Sequence, residues 1–407
     1  MWFIRTQQEP IWLIYGMTIS KKNTTFFRKW YFCMLVMLPI VANAQHKHSQ
    51  LATSYAFDQA GKLWMVGLNA QQKLFIQSSQ DFGKTWVSKE LEADAKISAD
   101  GENRPKIAIG KGGAMVITYT KPLEKPYTGE IRLIRSVDSA NFSSPITVHD
   151  DRQLITHRFE STKFDSKGGL HIVWVDKRDA ELARSITGKK DVYSGAAIYR
   201  KYSADGGQTF GPDIKLADHS CECCRIALLP ISDGRVLAMW RHVFDGSIRD
   251  HATAFIDGEK ITKINRGSYD GWHLEACPHH GPALSPALNN QFHAVWFGEK
   301  KSVAAVRYGL LNKFGEPVGL VRELPDPRAE HADIASFGSN VVITWRSYNG
   351  KETEVKAWVS RDNGKNFQER LIKKTALDND YPQLLEKSGD IYLLWRTERE
   401  IYVEKIH

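Results

Sequence analysis

At 407 residues, with 42% hydrophobic and 25% charged side chains, the chain has the balance of a folded protein and is far too long for a disulfide-stapled mini-protein. The formal charge is +8, but residues 1–44 hold five Lys/Arg and one acid; the remaining 50 basic and 46 acidic residues leave +4. That even balance gives no argument for nucleic acid.

From Met17 a basic stretch (Lys21, Lys22, Arg28, Lys29) leads into the apolar run Trp30–Val41 and then Ala42-Asn43-Ala44. This order predicts a secretory signal, with Met17 as the start and residues 1–44 removed. Twelve apolar residues are too few to span a bilayer, and no other long apolar run follows, so no integral membrane span is expected. Residues 45–407 are expected to form one monomeric domain, periplasmic or secreted.

One unit then recurs. A turn followed by an alternating apolar strand ends in an aromatic residue at Trp64, Tyr119, Trp174, Trp240, Trp296, Trp345 and Trp395. A period of about 52 residues is the size of a four-stranded propeller blade. The fold class is therefore all-β, a single seven-bladed β-propeller, with a six-bladed form as the alternative. In the third unit the strands are placed at 159–165, 170–175, 197–203 and 212–216; in the seventh at 381–386, 391–397 and 400–406. The seventh lacks an outer strand, which residues 48–51 are expected to supply, closing the ring and its exposed edges.

Three turns carry a common pattern: Ser79-x-Asp81-x-Gly83-x-Thr85-Trp86, Ser203-x-Asp205-x-Gly207-x-Thr209-Phe210 and Ser360-x-Asp362-x-Gly364-x-Asn366-Phe367. Ser136-Val-Asp138 begins a decayed copy. Asp bonds nearby backbone N–H groups, Gly supplies positive φ and the aromatic packs inward. This pattern resembles the Asp-box (BNR) repeats of the sialidase superfamily. The resemblance implies a propeller in which the boxes are structural and lie opposite the active face. It further implies, for a catalytic member, three Arg that hold a carboxylate, a Tyr–Glu nucleophile pair and an Asp acid/base. The first blade here, Ser54-Tyr-Ala-Phe-Asp58, lacks the family's first Arg, and Arg104-Pro105 in the second is only an echo of its motif.

In a propeller the starts of the innermost strands and the ends of the second strands share one face. Arg104, Arg158, Arg178, Arg241, Arg346 and Arg396 fall there and are the candidate ligand-binding residues. A planar guanidinium fork suits carboxylate or sulfate, so an anionic glycan or another small anion is the expected partner. Should the chain be an exo-acting glycosidase, Glu160, Asp333 and Tyr381 are the candidate catalytic residues. An insertion at 176–193 is expected to overhang the channel mouth, as a solvated loop or as a substrate lid.

Cys33 leaves with the signal. Cys221, Cys223, Cys224 and Cys277 remain, and an even count in an oxidising compartment favours disulfides, with Cys277 bonded to Cys223 or Cys224. The alternative is a copper or zinc site formed by these four with His279 and His280. No other cofactor is expected.

Overall fold

The structure is a computed structural model, which describes residues 51–99, 101–189, 192–274 and 279–407. Seven antiparallel sheets follow one another along the chain, at 54–90, 106–147, 157–220, 227–266, 283–323, 329–375 and 383–405. Each is a meander, whose strands are lettered A to D from the channel outward. This is the expected seven-bladed propeller, and the six-bladed alternative is not the fold. In blade 4 the outer place is shared by Lys260–Ile261 and Asn265–Arg266, both paired with strand C.

Strand B explains the periodic sequence. Leu63–Leu68, Leu170–Asp176 and Val236–Arg241 are buried along their whole length, because blades pack on both faces of each sheet. The closing Trp174, Trp240, Trp345 and Trp395 are fully buried. Three of these indole N–H groups are satisfied, Trp174 by Asp176 Oδ2 at 2.8 Å, Trp345 by Asp326 Oδ2 at 3.2 Å and Trp395 by the Asp380 carbonyl at 2.8 Å.

Blade 7 has three strands among the described residues, ending at Ile401–Lys405. The predicted closing strand falls largely outside them, and Leu51 is buried without belonging to a strand. Blades 7 and 1 meet through Tyr55, Met65, Tyr392 and Leu394. Thr53 N–H donates to Asp380 Oδ2 at 2.8 Å, and Gln383 Nε2 donates to the Thr53 carbonyl at 2.7 Å. Strand A of blade 7 begins at Gln383, two residues later than expected. Pro382 has no N–H to give a ladder, and the Tyr381 N–H is held by Asp380 Oδ1 at 2.7 Å. Strand D of blade 3 is Ile214–Ser220, displaced past Pro212 for the same reason.

The patterned turns join strands C and D of blades 1, 3 and 6. In the first, Ser79 Oγ donates to Asp81 Oδ1 at 2.7 Å and accepts the Gly83 N–H at 2.7 Å. Thr85 donates its N–H and hydroxyl to Asp81 at 2.9 and 2.6 Å. The bonds repeat around Asp205 and Asp362. Gly83, Gly207 and Gly364 have φ of 86°, 92° and 77°, the left-handed region that L-residues disfavour. Because strands alternate in direction, these turns lie on the face opposite the starts of strands A.

Candidate binding site in the central channel

Strands A of blades 3 and 6 carry matching β-bulges at the channel mouth. Pairing passes from Arg158↔Val175 to Ser161↔Val173, and from Glu330↔Arg346 to Asp333↔Thr344, so two residues oppose one Trp in each. Phe159 and His331 take up the extra residue at φ of 56° and 51°.

The mouth is organised around Tyr381. His331 stacks on its ring with centroids 3.5 Å apart and planes 9° apart. The Arg104 and Arg346 guanidinium carbons lie 4.5 and 4.6 Å from the ring centroid. Burial first, and then the charge of Glu102, push the phenol up to about 12. Arg104 Nη1 donates to Asp380 Oδ1 at 2.7 Å and its Nε to the Gly101 carbonyl at 2.9 Å. Arg346 Nε donates to Glu330 Oε1 at 2.7 Å. Glu102 accepts from Arg225 Nη1 at 3.5 Å and lies 3.4 Å from His331 Nδ1. Burial pushes the Glu102 carboxyl up, but Arg225, His331 and Arg104 together outweigh it and hold the group well below its usual range. His280 stacks on both His331 and Phe297 at 4.5 Å, and burial pushes its imidazole down to about 3.

Below the mouth is a channel cavity of about 240 Å³ with lining residues from every blade. Its charged lining is Arg104, Lys106, Lys163 and Arg225 against Glu102 and Asp333. Lys163 is reached by solvent through the channel yet walled by protein, and burial pushes its amine down against the opposing charge of Asp333. Among the described residues its Nζ has no hydrogen-bond partner. Burial raises the Asp333 carboxyl beyond what Arg225 and the N–H groups of Leu384 (2.9 Å) and Ile334 (3.0 Å) take back. Lys106 Nζ stands 3.6 Å from Glu160 Oε1. Thus four cations face two carboxylates, one of them biased toward its neutral form.

Of the candidate arginines, Arg104 and Arg346 meet at this mouth. Arg241 does not. It is 1% exposed, and its Nη2 donates to the carbonyls of His280 and Phe297 in blade 5 at 2.9 and 2.8 Å. Arg396 reaches the Leu68 carbonyl of blade 1 at 3.5 Å and lies over Phe75. Arg346 likewise reaches the Asn379 carbonyl before blade 7 at 3.5 Å. The three Trp-Arg pairs are therefore clasps from each blade to the next. Arg158 is buried against Phe159, with its guanidinium carbon 4.9 Å from that ring. Arg178 is paired with Asp176 and Asp213 at 2.7 and 2.9 Å and covers Tyr199.

Of the candidate catalytic residues, Tyr381 is at the mouth and Asp333 lines the cavity. Glu160 is fully buried, bonded to Thr120 Oγ1 at 3.2 Å. The insertion forms the helix Arg178–Thr187. It is tied to its own blade's outer strands, by Asp179 to Tyr199 Oη at 2.9 Å and to Lys215 Nζ at 3.2 Å, rather than placed as a lid by those contacts.

Cys221, Cys223 and Cys224 are buried together, with the Cys221 Sγ 3.5 Å from Cys224 Sγ and 3.9 Å from Cys223 Sγ. Cys277 lies outside the described residues. His279 is exposed, and the ligand atoms of His280 group with Glu330 and His331 instead of with the thiols.

Lys106 and Lys163 are site residues that sequence reasoning missed. Their signal was a cation inside an innermost strand, where the inward face is the channel.

No family model matches the chain, and no curated protein is significantly similar to it. The fold recurs in solved structures. The BP39L lectin from Burkholderia pseudomallei aligns with a TM-score of 0.53 and 10% identity over 88% of this chain and 100% of that one. Polysaccharide lyase Uly1 aligns at 0.53 and 10% identity over 90% and 91%. YCF48 bound to D1 peptide aligns at 0.51 and 14% identity over 88% and 94%. At such identities the likeness is one of fold. Fold and site together define a seven-bladed β-propeller with a charged central channel. Among the described residues no helix is long and apolar enough to cross a membrane.

Proposed function

We propose that this chain is an exported, monomeric propeller of the sialidase-superfamily kind that captures the acidic terminal residue of a glycan at its channel mouth. The observation that carries this reading is Lys163, a channel cation that solvent reaches and that has no hydrogen-bond partner among the described residues, while Arg104, Lys106 and Arg225 stand beside carboxylates. A carboxylate or sulfate entering the channel would pair with it. A volume of about 240 Å³ suits one sugar unit or its charged end, below the roughly 300–1,000 Å³ of sites for larger ligands. Arg346 and Tyr381 at the rim would orient that unit. Export rests on the N-terminal basic, apolar and Ala-x-Ala order.

The test is calorimetric titration of the protein with N-acetylneuraminate, uronic acid oligosaccharides, sulfated oligosaccharides and their neutral counterparts. Binding of an acidic series, weakened at least tenfold in Lys163→Met, supports the reading. Equal affinity for neutral sugars, or no binding to any acidic series, overturns it.

A second reading, an exo-acting glycosidase, is favoured by Tyr381 standing in the field of Glu102 between Arg104 and Arg346. Asp333, with its raised carboxyl, would be the acid. Release of a free acidic sugar from a sialoside or uronide, lost in Tyr381→Phe, would establish turnover in place of capture.

A further inference from the structure

The geometry points to a second site in this molecule, a buried thiolate site formed by Cys221, Cys223 and Cys224 for a d10 cation, Cu(I) or Zn(II). The three residues precede strand A of blade 4 and sit in the apolar core between blades 3 and 4, beside Val175 and Trp240. All three Sγ atoms lie within 4.8 Å of one another. The separations of 3.5 and 3.9 Å are far from the S–S bond of about 2.05 Å. They are close to the edge of a metal–thiolate polyhedron: M–S bonds of about 2.3 Å set sulfurs about 3.8 Å apart around a tetrahedral ion and about 4.0 Å apart around a trigonal one. Three ligands on one short turn thus converge with little rearrangement.

The surroundings carry a second, independent sign. Ser220 Oγ and His251 Nε2, on strands next to this turn, are buried atoms with acceptor capacity and no hydrogen-bond partner among the described residues. Cys221 N–H is bonded to the Arg241 carbonyl at 3.0 Å, and Arg241 pairs with His251 across the sheet. His251 is 1% exposed and pairs with the strand that holds the turn, but its ring is not among the ligand atoms that group with the three thiols. A buried polar atom without a partner calls for an ion or a water. Binding would release the thiol protons, because the ligating form of Cys is the thiolate. Soft sulfur ligands select Cu(I) and Zn(II) over harder ions. Since Arg225 follows Cys224 directly and lines the cavity, a bound ion would fix the turn that presents it.

The experiment uses the whole mature chain, purified without a polyhistidine tag, reduced and made metal-free under anaerobic conditions. Zn(II) and Cu(I) are titrated separately against competing chelators, and Co(II) serves as a spectroscopic probe. The expected result is about one equivalent of Zn(II) or Cu(I), with sulfur-to-cobalt charge-transfer absorption that Cys221→Ser and Cys224→Ser abolish and His280→Ala retains. Competition between the two ions distinguishes the preferred one. Should the Cys variants fail to fold, alkylation of the wild type mapped by peptide mass keeps the test open: metal should slow labelling of Cys221, Cys223 and Cys224 at least tenfold. Less than a tenth of an equivalent bound by the reduced, folded protein overturns the proposal. So does a disulfide that takes up any of the three, within the trio or with Cys277, in protein isolated without reductant.

Discussion

The rings of His331 and Tyr381 lie face to face, 3.5 Å between centroids, although they stand at the starts of the inner strands of two different blades. The bulge that gives His331 a φ of 51° and the Asp380–Tyr381 turn that delays strand A of blade 7 bring them together. Two guanidinium groups then have one aromatic wall to rest against.

That wall yields a prediction. Tyr381→Phe keeps the stacking and both cation–π pairs, so acidic-ligand affinity should change by less than about 1 kcal/mol. Tyr381→Ala removes the wall and should weaken binding by about 1–2 kcal/mol for each guanidinium deprived of its ring. Calorimetric titration of both variants checks this; equal losses in the two would assign the role to the phenol hydroxyl.

Arg241 and Arg346 should behave differently despite holding the same place in their blades. Arg241→Ala strands its partners, the part-buried carbonyls of His280 and Phe297, at up to about 1–3 kcal/mol each, and should lower Tm sharply. Arg346 is 21% exposed, pairs with Glu330 and makes only a long, 3.5 Å bond to the Asn379 carbonyl. Arg346→Ala should lower Tm less than Arg241→Ala does and weaken acidic-ligand binding by about 1.5–3 kcal/mol. Thermal melts and titration of the pair decide it. An Arg241 variant as stable as wild type would contradict the clasp.

Acid should destabilise the fold before most carboxylates titrate. Burial pushes the imidazole of His149 down to about 3 and that of His293 to about 4, and both are fully buried. Unfolded, each takes a proton below about pH 6.5. Between that pH and the folded values the unfolded chain binds more protons, so stability falls as pH falls. Tm measured from pH 7 to 5 should decline, and His293→Gln should flatten the slope. A slope unchanged in that variant would place the acid sensitivity elsewhere.

Asp205 should matter to folding alone. Thr209 and Ser203 hydrogen bonds hold its carboxyl well below the usual range, so its contribution persists at neutral pH and fades only as acid protonates it. Asp205→Ala should lower Tm at pH 7 and leave ligand affinity intact, because the turn lies on the far face. Lost affinity in a still-folded Asp205 variant would invert the assignment of the working face.

By itself the sequence determined the features that are local. Seven Trp- or Tyr-ended strands and the Ser-x-Asp turns were legible because a strand buried on both faces must be apolar throughout, and a C–D turn needs its Asp and Gly within a few residues. Tyr381 and Arg104 were legible as site residues because they stand just ahead of inner strands, where the topology requires a shared face. Only tertiary structure decided which cations face the channel. Arg241, Arg346 and Arg396 follow the same Trp, yet only Arg346 has a Tyr within reach across the seam; the others find carbonyls of the next blade. Lys106 and Lys163 read as ordinary polar alternation in strands. They become site residues because seven inner strands turn that face toward a common axis, a condition set by ring closure and by no segment alone.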